Sequence, residues 1–125
     1  MSNDAAPILL TVTADPRLAR LVRMTAANVA TLSSMSVDRV EDIRMAAEEA
    51  FIYACAVQNG NELSIAFDVD IEHVTMTFSL ACDPAGVCPP EGEAAYADLI
   101  LGAVCDSYEK RADPAALVLT LKADV

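Results

Sequence analysis

"DPRLARLVRMTAANVATLSSMSVDRVEDIRMAAEEAFIYACAVQNG", residues 15–60, holds two helices and the signals that separate them. Asp15 suits an N-cap and Pro16 the first helical position, where a missing N–H is no loss. Leu18, Leu21, Val22, Thr25, Val29 and Leu32 then recur at the spacing of one helix face. "LSSMS", residues 32–36, ends this helix, and Ser36 can cap the next. In the second helix Val40, Ile43, Ala47, Ala50, Phe51 and Ala54 make the apolar stripe, and Asn59-Gly60 stops it. This helix changes character along its length. Charges at Glu41, Asp42, Arg44, Glu48 and Glu49 give way to residues 50–57, which carry none. That end must be buried, and Glu49 and Tyr53, one turn apart, sit at the change.

Outward from the helical pair the period falls from 3.6 to 2. Residues 8–14 read as a short first strand. After Gly60, Leu63, Ile65, Phe67 and Val69 alternate with polar or small neighbours, and Val74, Met76, Phe78 and Leu80 do the same, which predicts an antiparallel hairpin with one apolar face. "CDPAGVCPPEGE", residues 82–93, is the one long loop. Tyr96, Leu99, Ile100, Ala103 and Val104 predict a third helix, and "ALVLTLKA", residues 116–123, a last strand. The expected architecture is a single domain over residues 1–125 of the α/β class. It is a two-layer sandwich, with a mixed, mostly antiparallel sheet and helices on one face.

Composition narrows the class of function. The chain is 54% hydrophobic but only 5% aromatic, without Trp, so aliphatic residues and Met must build the core. A formal charge of −11, from 8 basic and 19 acidic residues, repels nucleic acid phosphates and anionic membrane surfaces. The run Ile8 to Val12 is too short to span a bilayer, and no basic n-region precedes a long apolar stretch, so the expected location is cytoplasmic. Cys55, Cys82, Cys88 and Cys105 form no CxxC pair and read as buried thiols rather than as a zinc site with His73.

"ADPRLARLVRMTAANVATLSSMSVDRVEDIRMAAEEAFIYA", residues 14–54, resembles the small anti-sigma factor serine kinases, whose ATPase fold is shared with histidine kinases and gyrase B. Order and length of elements match over nearly the whole chain, most strongly in this stretch and weakly from Asp83 onward. The resemblance implies a histidine-kinase-like ATPase fold. It also implies three nucleotide-binding segments, and each departs from the family pattern here. In the first, Glu-Ala-x-x-Asn-Ala, a Glu orients the attacking group and an Asn holds magnesium. Residues four apart stand above one another on a helix, so both can meet one metal–phosphate assembly. Glu49, Ala50 and Ala54 match, but the Asn position is Tyr53, whose phenol is a poor magnesium ligand and whose ring would fill space the phosphates need. In the second, Asp-x-Gly-x-Gly, an Asp bonds the adenine amino group and glycines admit the nucleotide. Here it is Asp83-Pro84-Ala85-Gly86-Val87, with Asp83 kept and Gly86 displaced by one. The third, Gly-Leu-Gly-Leu, falls on Ala95-Tyr96-Ala97-Asp98, where Asp98 adds a negative charge that would repel phosphate.

Two classes of function follow. The first is a regulatory pseudo-enzyme with no cofactor, in which Glu49 is a vestigial catalytic residue and Tyr53, Asp83 and Gly86 line a degenerate nucleotide pocket. It would bind a sigma factor or a STAS-type antagonist and, as the resemblance implies, form a homodimer. The second is an active protein serine kinase using ATP and magnesium, with Glu49 retained and Asn28 or Asn59 replacing the amide, although neither has the right spacing from Glu49. A small-molecule sensor using an emptied pocket is a third. Against these stand plainer readings: Glu49 as a solvated helix carboxylate, Tyr53 as core filler and Asp83 as a turn residue. Arg17, Arg20 and Arg23 concentrate basic charge on the first helix, as a partner surface or as a plain solvent face. His73 reads as an exposed strand residue.

Overall fold

The computed structural model describes residues 8–58, 60–80, 91–112 and 114–124, leaving aside the side chains of residues 58 and 91–95. Strand β1 (Ile8–Thr13) leads through Asp15 into a 3-10 turn (Pro16–Leu18) and then helix α1 (Ala19–Ala30). Helix α2 (Val37–Gln58), strands β2 (Glu62–Val69) and β3 (His73–Ser79), helix α3 (Glu91–Val104) and strands β4 (Ser107–Ala112) and β5 (Ala115–Lys122) follow. The sheet order is β1-β2-β3-β5-β4.

The caps arise from local chemistry. Asp15 takes an extended backbone and its carboxylate accepts the Arg17 N–H at 2.9 Å. Ser36 Oγ accepts the Arg39 N–H at 3.1 Å, three residues into α2. Gly60 has φ +86, a left-handed conformation that an L side chain would strain, and its N–H donates to the Ala14 carbonyl. Asp70 turns β2 into β3 by accepting the Glu72 and His73 N–H groups at 2.8 Å each.

Alternation sets the faces. Leu63, Ile65 and Phe67 of β2, Val74, Met76 and Phe78 of β3, and Leu117, Leu119 and Leu121 of β5 are wholly buried beneath the helices. Across from them α2 contributes Ile43, Ala46, Ala47, Ala50, Phe51, Tyr53 and Ala54, all at 0% exposure. The charge-free second half of α2 is thus buried against sheet and helices together. Thr11, Ser64, Thr75 and Thr120 carry the opposite face, with Thr75 and Thr120 hydroxyls 3.2 Å apart.

Four sequence expectations need correction. The sheet is antiparallel at every pairing rather than mixed. A strand–helix–strand crossover would have brought the last strand in parallel, but β4 reverses the chain once more before β5. Helix α3 begins at Glu91, so residues 91–93 belong to it and not to the preceding loop. Helix α3 buries Ala97 and Leu101, while Tyr96 (59% exposed) and Leu99 (70%) face outward. In α1 the buried set is Val22, Ala26, Val29 and Ala30, Leu21 lies exposed, and Leu32 falls beyond the helix and is exposed as well.

Candidate functional site

Tyr53 stands at the middle of the buried half of α2, where it packs beside α3. Its ring lies under Lys110 of β4, whose Nζ is 5.4 Å from the ring centre. An ammonium at that distance is attracted by the negative face of the ring. Lys110 Nζ also donates to Asp98 Oδ2 of α3 at 2.8 Å, and Tyr108 OH donates to Asp98 Oδ1 at 2.7 Å. Three elements therefore meet in one cluster: Tyr53 from α2, Asp98 from α3, and Tyr108 with Lys110 from β4.

The electrostatics of the cluster are self-consistent. Burial lowers the Lys110 pKa, but the hydrogen bond to Asp98 and the neighbouring Tyr53 and Asp98 oxygens outweigh it, and the net shift is upward. Burial first, and then the hydrogen bond to Asp98, hold the Tyr108 phenol far above its ordinary value. Lys110 is accordingly a cation, Tyr108 a neutral donor, and both oxygens of the Asp98 carboxylate are occupied by donors. Asp98 was expected as an added, repelling charge. It has instead a countercharge of its own.

Glu49, one turn before Tyr53, is half-buried and forms no hydrogen bond or ion pair with a described residue. Burial, and then the adjacent Glu48, raise its pKa. Glu48 is itself held by Arg23 Nη1 at 3.0 Å across the α1–α2 contact. Of the other basic residues on the first helical segment, Arg17 binds back to Asp15 at 2.7 Å, and Arg20 is exposed without an ion pair among the described residues.

Asp83 and Gly86 lie outside the described residues, as do Cys82, Cys88 and Asn59. Cys55 is buried with its thiol pushed up to about 11, and Cys105 is half-buried with its thiol pushed up to about 12, desolvation being the first cause in each, so neither is a thiolate at neutral pH. His73 is half-buried and its Nδ1 lies 3.3 Å from Asp70 Oδ1. Among the described residues no group of three or more His, Cys, Asp or Glu is arranged to hold a metal ion.

Tyr108 and Lys110 escaped the sequence reading because β4 did. The signal was present in "SYEKRA", where Tyr108 and Lys110 alternate with Ser107, Glu109 and Arg111. It carries charges where the other strands carry Leu, Val and Phe. No protein-family model matches the sequence, and comparison with curated proteins gives no match.

Proposed function

We propose that this chain is a regulatory binding protein on a degenerate anti-sigma factor kinase-like fold, with nucleotide chemistry lost and partner binding kept. Its partners are a sigma factor or a STAS-type antagonist, and a second copy of itself. The observation that carries this reading is the Tyr53–Lys110–Asp98–Tyr108 cluster. By the resemblance, residue 53 would hold the magnesium ion and residues 95–98 would wrap the phosphates. In this chain Lys110 ties the two positions to each other.

The residues present do not fit a metal–nucleotide. Magnesium requires oxygen ligands in near-octahedral geometry. Tyr53 offers a phenol on a ring at 0% exposure with an ammonium above it, and each Asp98 oxygen already accepts from a protein donor. Separating the cluster to admit phosphates would leave Asp98 facing their negative charge without Lys110. No catalytic step is drawn through Glu49.

Exposed side chains on α1 support a partner surface there. Arg20, Leu21 and Met24 are exposed on adjacent turns of the helix, and Leu32 is exposed just beyond its end. An apolar patch beside an Arg that has no ion pair among the described residues is the composition of a protein-binding centre, and Arg20 would meet a carboxylate there.

Thermal unfolding with and without excess ATP and magnesium tests the loss of nucleotide binding. The expected result is an unchanged midpoint. A rise of several degrees would report ligand bound to the folded state and would overturn the reading. Binding to a sigma factor or STAS-type protein should fall at least tenfold on Arg20→Glu.

A further inference from the structure

Where the connection between α1 and α2 passes the turn between β2 and β3, Ser34, Ile71, Glu72, His73, Lys122 and Ala123 line a cavity of about 550 Å³. That size suits a small molecule. The cavity lies far from the Tyr53 cluster, because Val37 and Tyr53 are about 24 Å apart along α2 and Ser34 precedes Val37. Its frame is fixed by backbone bonds. The Ser34 N–H donates to the Ile71 carbonyl at 2.9 Å, the Ala123 N–H to the Glu72 carbonyl at 2.7 Å and the Asp70 N–H to the His73 carbonyl at 3.0 Å. Lys122 gives its N–H to Asp106 and its carbonyl to Arg39. Three separate segments of chain are thereby stitched around one space.

The backbone of the lining is committed, but its side chains are not. Among the described residues neither the Lys122 ammonium nor the Glu72 carboxylate has a hydrogen bond or ion pair, although both line one cavity on segments that the Ala123–Glu72 bond joins. Opposite charges are thus held in one space without being spent on each other. His73 Nδ1 lies 3.3 Å from Asp70 Oδ1, so Nε2 is the ring nitrogen without a partner among the described residues. Ile71, 66% exposed, adds an apolar wall.

We propose that this cavity binds a small zwitterion with an apolar body, of the free amino acid or dipeptide class. The ligand carboxylate meets Lys122 Nζ and His73 Nε2, its ammonium meets the Glu72 carboxylate, and its apolar side chain lies against Ile71. A bare anion fits less well, since the chain carries −11 and Asp70 and Asp124 stand beside the lining residues in sequence. A bare cation would face Lys122. A molecule with both charges and no net charge satisfies each group in turn. The stitched frame is formed before the ligand arrives, which spares part of the ordering cost of binding. Glu72 and Lys122 are exposed, so affinity is modest and the titrations extend to millimolar ligand.

The test is calorimetric titration of the full chain with L-leucine and with L-leucyl-L-leucine, beside isocaproate, which lacks the ammonium, and isoamylamine, which lacks the carboxylate. Circular dichroism confirms folding of each variant. At least one zwitterion should bind, and the tighter of the two identifies the class. Isocaproate and isoamylamine should each bind at least tenfold more weakly than leucine or the dipeptide. Glu72→Gln should abolish the preference over isocaproate alone, and Lys122→Met the preference over isoamylamine alone, while Glu109→Gln on the distant strand β4 changes neither. Absence of binding by both zwitterions overturns the proposal. Half-molecules that bind as tightly as the zwitterions, or an affinity unchanged in Glu72→Gln and Lys122→Met, overturn it as well. None of these outcomes bears on the loss of nucleotide binding, which is read with ATP and magnesium at the other end of α2.

Discussion

Lys110 holds its ammonium 5.4 Å from the centre of the Tyr53 ring, joining an edge strand to the middle of the most buried helix. Tyr53→Asn, which restores the amide of the kinase pattern, removes the ring beneath that cation and leaves a cavity lined by apolar neighbours. The expected loss is about 3–5 kcal/mol in urea unfolding. Calorimetric titration of the variant with ATP and magnesium should show no heat of binding. Recovered binding would mean that Tyr53 alone closes the pocket.

Asp98→Asn takes the carboxylate from both Tyr108 and Lys110. Asp98 is 39% exposed, so water replaces part of the lost interaction, and the expected cost is about 1 kcal/mol. The sharper readout is titration. The Tyr108 phenol loses one of the causes of its upward shift, though not its burial, and should ionise at lower pH in the variant.

Glu49 has a folded-state pKa above the ordinary 4.5, raised first by burial and then by Glu48. For a carboxyl shifted this way, the relative stabilisation is fully present below pH 4.5 and lost as pH rises through the folded value. At neutral pH the native state therefore carries a burial penalty. Glu49→Gln should unfold at higher temperature than the wild type at neutral pH, with the gap closing as pH falls through the Glu49 value. A gap independent of pH would show that charge at this position is not what burial opposes.

Asp15, Asp70 and Asp124 shift in the opposite sense, each held below the ordinary 3.8. The first causes are the Arg17 side chain for Asp15, the Glu72 N–H for Asp70 and the Ser36 hydroxyl for Asp124. Their stabilisation is present above 3.8 and lost as pH falls through the folded values. Asp124→Ala should therefore lower the thermal midpoint at neutral pH, and its difference from the wild type should shrink in acid.

Arg39, with a side chain 15% exposed, donates to Asp42 at 3.1 Å, to the Lys122 carbonyl at 2.8 Å, to the Val104 carbonyl at 3.4 Å and to Asp106. Arg39→Ala removes all four bonds and leaves Asp106 holding only the Lys122 N–H among the described partners. The expected loss is about 2 kcal/mol, seen as a drop of several degrees in the melting midpoint.

Features that rest on neighbours in sequence were legible. Asp15 and Ser36 mark helix ends through bonds to residues two and three positions on, Gly60 through its own left-handed backbone, and the alternation from Leu63 to Phe78 fixes a hairpin wherever the helices lie. The face of α3 was not legible, because Tyr96, Leu99, Ile100, Leu101 and Val104 make it apolar around most of its circumference. Only packing against α2 selects Ala97 and Leu101. Strand β4 hides for a related reason. Tyr108 and Lys110 look like solvent residues until Asp98 and Tyr53 arrive from other elements. The candidate site divides the same way: Glu49 and Tyr53 stand out from the change along α2, while the other members of the Tyr53 cluster, Asp98, Tyr108 and Lys110, lie more than forty positions away in the chain.

The start of α2 has a consequence for the order in which the molecule assembles. Ser36 donates its N–H to Asp124 at 2.8 Å, 88 residues later, and Arg39 reaches Asp106 and the Lys122 carbonyl. The helix can coil early from its own cap, but its first turn is anchored only once β5 has paired with β3. Closing so long a loop is the slow kind of step in folding. The amino end of α2 is therefore secured late, and local opening there releases several long-range bonds at once.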